Sequence, residues 1–113
     1  MARVQQTAQF FAALTDVNQV GVFGNTPLSV VTTWGDVEAA RLLLEAGAEI
    51  DAKLEFGDTA LHRAVLFGNV ELVKLFLESG ASIDERNDEG RTARDLAKGS
   101  DEISNLLSLH HRY

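Results

Sequence analysis

A period of 33 residues runs through the chain and leaves few folds open to it. Gly24, Gly57 and Gly90 keep that spacing, and so do Thr26, Thr59 and Thr92. Gly35 pairs with Gly68, Gly47 with Gly80, Ala48 with Ala81, Ile50 with Ile83 and Asp51 with Asp84 in the same register. A unit of this length cannot bury its apolar face alone. It becomes stable by stacking on its neighbours.

Each unit reads as turn, short helix, tight turn, longer helix, loop. Thr26-Pro27 has the chemistry of a helix start, because the Thr hydroxyl can accept from an orphan N–H and Pro fits the first turn. Thr59 and Thr92 repeat the cap, which predicts helices over about 27–34, 60–67 and 93–98. Gly35 and Gly68 end the first two, where a positive φ is cheap. The second helices begin near Asp36 and Asn69, and Gly47 and Gly80 stop them. Their sequences, Val37-Glu38-Ala39-Ala40-Arg41-Leu42-Leu43-Leu44 and Val70-Glu71-Leu72-Val73-Lys74-Leu75-Phe76-Leu77, are apolar over most of the circumference. Helices of that kind need cover on more than one side, from their own partner and from the next unit.

The stretches Gly24-Asn25-Thr26-Pro27-Leu28, Gly57-Asp58-Thr59-Ala60-Leu61-His62 and Gly80-Ala81-Ser82-Ile83-Asp84, at this period, resemble ankyrin repeats. The resemblance covers roughly residues 15–109 and implies an all-α solenoid. It implies a fold and not an activity, because the family shares no single chemistry. The expected organisation is one domain over 1–113: a capping half-repeat at 3–20, repeats at 21–53 and 54–86, a shortened repeat at 87–109 and a tail at 110–113.

The ends depart from the pattern. Val4 stands one period before Val37, and Leu14-Thr15-Asp16-Val17-Asn18 takes the place of Gly47-Ala48-Glu49-Ile50-Asp51. A helix near 3–14, bearing Phe10 and Phe11, is expected to cover the first full repeat. At the other end Ile103, Leu106 and Leu107 form an i, i+3, i+4 stripe, so Asp101–Leu107 reads as a second helix after a turn two residues short. Arg94 replaces the Leu seen at 28 and 61, and a polar last unit is what a solenoid end requires. On this reading the stack is capped at both ends and the chain is complete.

Several chemistries find no footing. There is no Cys, hence no thiolate site, thiol nucleophile or disulfide framework. Neither a phosphate-binding Gly-x4-Gly-Lys-Ser/Thr loop nor a Gly-x-Gly-x-x-Gly turn is present. Ten Lys+Arg against seventeen Asp+Glu give a net charge of −7, which repels phosphate backbones and argues against nucleic acid. Apolar runs are too short to span a membrane, and the N-terminus lacks a signal peptide's long apolar core. A cytoplasmic setting fits. His62 sits where the resemblance places a His that hydrogen-bonds neighbouring turns. His110 and His111 are adjacent and diverge on a helix, which makes a poor metal pair. Asp51, Asp58, Asp84 and Asp88 read as turn residues, and Glu45 and Glu78 as solvated helix positions. The same residue types recur along a line and do not converge on a point. That arrangement suits recognition and not catalysis, and no cofactor or metal is expected.

In ankyrin repeats the turn tips and the C-terminal part of the first helix usually carry binding. Here the resemblance places at the tips Val22, Phe23 and Asn25; Glu55, Phe56 and Asp58; and Asp88, Glu89 and Arg91. The first-helix positions are Thr33 and Trp34, Leu66 and Phe67, and Lys98, with Arg63 bordering the surface. Phe23 and Phe56 are one period apart, as are Trp34 and Phe67. Exposed aromatic clusters are costly unless covered, and aromatics are favoured at interface hot spots. The expected surface is an apolar centre with an acidic rim. The competing reading is that these rings stack on one another and seal the small core. Phe11 and Phe76 match core positions and stay outside the site.

The resemblance therefore implies a non-catalytic protein-binding module. A chain this small, without an effector domain, acts by occupying a surface. Small free-standing members in bacteria include antitoxin-like immunity proteins, and the acidic balance suits a basic partner such as a toxin or enzyme. A scaffold or assembly subunit is the alternative, an enzyme a distant one. The free chain is expected to be a monomer.

Overall fold

The computed structural model describes residues 16–21, 25–97, 99 and 101–110. The expected capping helix at 3–14 with Phe10 and Phe11, the tip residues Val22 and Phe23, Lys98 and the tail from His111 onward lie outside the described residues.

Six α-helices follow one another among the described residues, with no strand: α1 Pro27–Trp34, α2 Val37–Glu45, α3 Ala60–Leu66, α4 Val70–Glu78, α5 Ala93–Leu96 and α6 Asp101–His110. The odd-numbered helices stack on each other as one layer and the even-numbered ones as a second. Within each repeat the two helices pack together, so every apolar face meets both its partner and its neighbour.

The helix starts are built alike from different residues. Thr26, Thr59 and Thr92 hold extended backbone, and each side chain accepts from the backbone N–H three residues on. The return bond from the cap's own N–H goes to Ser29 Oγ, His62 Nδ1 and Asp95 Oδ2, each at 3.0 Å. Three side chains of different size thus close the same reciprocal cap. Asp36 and Asn69 cap α2 and α4 by accepting from Ala39 N and Leu72 N. Gly35 makes the turn between α1 and α2 at φ 72, a left-handed backbone that a side chain resists.

Helices α3 and α5 end at Leu66 and Leu96, one and two residues before the expected 67 and 98. Phe67 is the C-cap of α3, its N–H still donating to Arg63 O at 2.9 Å. The core runs unbroken through all three repeats, from Leu28, Val31 and Leu43 through Leu61, Leu72, Val73 and Phe76 to Ile103 and Leu107.

Side chains also lace one repeat to the next along the loops. Asn18 Oδ1 accepts from Glu49 N at 2.8 Å, and one period later Asp51 Oδ1 accepts from Ser82 N at 2.9 Å. Lys53 Nζ donates to Arg86 O and pairs with Glu85 at 3.2 Å. These bonds fix the spacing of the loops and hence the row of tips above them.

Candidate functional site

The tips of repeats 2 and 3 are tied to each other. Asp88 N donates to Phe56 O at 2.9 Å, Asn87 Nδ2 donates to Asp58 Oδ1 at 3.0 Å, and His62 Nε2 meets Arg91 O at 2.9 Å. The approach is close enough to exclude a side chain at Gly57. A Cβ there would lie 2.8 Å from Asp88 N, and the backbone is left-handed at φ 73.

This tie corrects one expected contact residue. Asp58 is buried, at 9% exposure, with a carboxylate oxygen taken by Asn87. It holds the tips together. Glu55 is half-buried, whereas Asp88, Glu89 and Arg91 stand exposed on the tip of repeat 3. That tip is shaped by Asn87, whose Oδ1 accepts from both Glu89 N and Arg91 N at 3.0 Å.

The tip of repeat 2 has no such cap. Leu54 occupies the place of Asn87 one period earlier, is buried, and offers no side-chain acceptor. Both turns close by the same backbone bond, Gly57 N to Leu54 O and Gly90 N to Asn87 O, each 2.9 Å. Of these two turns, that of repeat 2 places its third residue at positive φ: Phe56 sits at φ 65, ψ 14, the single non-glycine to do so among the described residues. A left-handed backbone costs an ordinary residue about 1–2 kcal/mol. Phe56→Gly is therefore expected to stabilise the fold by about 0.5–1 kcal/mol, the strain relief less the flexibility that Gly adds to the unfolded chain. A thermal melt shifted up by a few degrees would show it, and an unchanged or lowered midpoint would refute the strain.

Phe56 is also 68% exposed, and Leu66 and Phe67 at the end of α3 are each 55% exposed. These are three of the six exposed large apolar side chains among the described residues, and all belong to repeat 2. Trp34 divides between the two readings made from the sequence. It is half-buried against the core, and it also lines an open hollow between α1 and α3 with Asn25, Ser29, Val30, Thr33 and Arg63. Thr33 is exposed, and its hydroxyl donates to Ser29 O at 3.1 Å. Arg63 Nη1 reaches Asn25 Oδ1 at 3.5 Å across the repeat boundary. The pairing of Phe23 with Phe56 involves a residue outside those described.

His62 has no part in this surface. It is buried at 1% exposure between two structural bonds, and Phe76 is fully enclosed. A second hollow, lined by Arg41, Leu44, Glu45, Ala48, Ile50, Leu75 and Ser79, lies on the other layer between α2 and α4. Sequence reading missed it, because its residues come from two helices and the loop after the first, and no shared type or spacing marks them as one surface. No helix among the described residues is long and apolar enough to cross a membrane.

A comparison with curated proteins finds no match. A family model described as ankyrin repeats (3 copies) matches over residues 2–87 and again over 35–112. With the two-layer stack, the reciprocal Thr caps and the laced loops, that match is decisive: the chain belongs to the ankyrin-repeat family.

Proposed function

We propose that the chain binds one protein partner through the tips and inner helices of repeats 1 to 3, and acts by blocking or sequestering it. Ankyrin repeats generally mediate protein–protein interaction. The observation that carries the reading for this chain is the exposure of Phe56, Leu66 and Phe67 on one repeat. Large apolar side chains left in water favour being covered, and aromatics concentrate binding energy. The strain at Phe56 adds to the case, since outliers of this kind persist at ligand-contacting positions. Glu55, on the tip that carries Phe56, and Asp88 and Glu89, on the neighbouring tip, favour a basic partner, by charge complementarity and steering. A toxin or a nucleic-acid-handling enzyme has that character, which makes an immunity role in the cytoplasm the specific version. The same repulsion between copies of an acidic chain favours a free monomer.

The test is capture of partner proteins from the native host with the wild-type chain and with Phe67→Ala. A basic protein retained by the wild type is expected to bind the variant about 2 kcal/mol more weakly. Circular dichroism should show the variant's helices intact. Equal capture by both would remove the surface from the interface.

The hollow between α2 and α4, together with the exposure of Leu42 on α2, favours a second reading. Two binding faces on opposite layers would make the chain a scaffold joining two partners. Simultaneous binding of two proteins in sedimentation or light scattering separates this from simple blocking.

A further inference from the structure

The hollow between α1 and α3 measures about 180 Å³, and among the described residues one charged side chain lines it, Arg63. Arg63 is half-buried, and its bond to the neutral Asn25 is at the outer limit of hydrogen-bond length, 3.5 Å. The chain carries seventeen acids, yet the ion pairs among the described residues are Arg41–Glu38 and Lys53–Glu85, and none engages Arg63. A partly desolvated cation without a counter-charge is costly to maintain. The hydroxyls beside it are engaged elsewhere: Ser29 Oγ donates to Thr26 O and Thr33 Oγ1 to Ser29 O. Among the described lining residues the charged donors are those of the guanidinium fork, whose geometry matches a carboxylate.

Building on the protein-binding reading above, we infer that this hollow receives one acidic side chain, Asp or Glu, of the docked partner, held by Arg63 beside Trp34. Its size decides against a free small molecule, since sites for those run to about 300–1,000 Å³. It decides equally against a chain terminus, which would bring its own last side chain into the same space. The binding face is then bipolar: a cation between repeats 1 and 2, and acids at Glu55, Asp88 and Glu89 on the tips of repeats 2 and 3. A docked segment is fixed in direction by that polarity, with its acid over repeats 1 and 2 and its basic residues toward repeat 3.

Trp34 is the chain's single Trp and lines the hollow, so its fluorescence reports occupancy. The full chain is titrated at constant ionic strength with N-acetyl-glutamate amide, its glutamine counterpart, and N-acetyl-leucine carrying a free carboxylate. The side-chain N–H resonance of Arg63 is followed in parallel. The glutamate probe is expected to move both signals saturably, at a concentration at least about tenfold below that of the glutamine probe. Arg63→Gln should abolish the preference while the thermal melt stays in place. Arg63→Lys, which keeps the charge without the fork, should lose most of it. Equal response to the two amides, silence of both signals, or a preference that survives in Arg63→Gln overturns the carboxylate site. Tighter binding of N-acetyl-leucine overturns the side-chain assignment. None of these results touches the protein-binding reading, which stands or falls with capture by Phe67→Ala.

Discussion

Phe76→Ala should lower the free energy of unfolding by about 3–5 kcal/mol, the range for emptying an aromatic site in a packed core. Phe76 is fully buried on α4, the outer helix of the middle repeat, which packs on α2, on α3 and on α6. A cavity there weakens both repeat interfaces at once. In a repeat stack, stability is close to a sum of unit and nearest-neighbour interface contributions, so a loss in one unit is felt at both of its interfaces. Small domains hold only about 5–15 kcal/mol in total, so the variant is expected to sit at the edge of folding. Urea titration followed by circular dichroism measures the effect. A loss below about 1 kcal/mol would mean that the middle repeat is not the keystone of a cooperative unit.

His62→Ala is expected to cost about 2–4 kcal/mol, from a buried ring removed and two hydrogen bonds broken. The bonds define the ring's state. Nδ1 accepts from the backbone N–H of Thr59 at 3.0 Å, so it carries no hydrogen, and Nε2–H donates to Arg91 O at 2.9 Å. The first bond caps α3 from within, and the second fastens repeat 2 to the tip of repeat 3. The chain holds its own control, because Ser29 closes the same cap one period earlier. His62→Ser should therefore restore the cap and leave the inter-repeat link broken, recovering part of the loss. Hydrogen exchange along 87–92 should accelerate in both variants, because both remove the ring's bond to Arg91 O and leave that carbonyl to Asn87 N–H alone. Unchanged protection there would show that the tips are held by Asp58–Asn87 and the Phe56–Asp88 backbone bond without help from the ring.

Much of this architecture is legible in the sequence because its determinants are local. A Thr hydroxyl reaches only to the next turn of its own helix, and a left-handed glycine serves only its own bend. The cap positions at Thr26, Thr59 and Thr92 and the helix-ending Gly35 therefore sit where the period places them. The enclosed position of Phe76 follows from helical spacing in the same way. The helix ends are less legible: α3 and α5 stop at Leu66 and Leu96, with Phe67 and Ala97 as their C-caps, although the expected spans ran to 67 and 98. Asp58 shows a different limit. By type and place it reads as a tip residue, yet its carboxylate is claimed by Asn87, 29 positions away.

The sequence by itself determined the repeat, the helix boundaries to within a residue or two, the core positions and the family, since each depends on contacts a few residues apart or on a period counted along the chain. The tertiary structure alone decided which tip side chains face water. It turned Phe56 to a left-handed backbone, buried Asp58 and opened a cation-lined hollow between α1 and α3. Those outcomes depend on how closely one repeat approaches the next, across separations of 29 to 38 residues, and no local pattern encodes that distance.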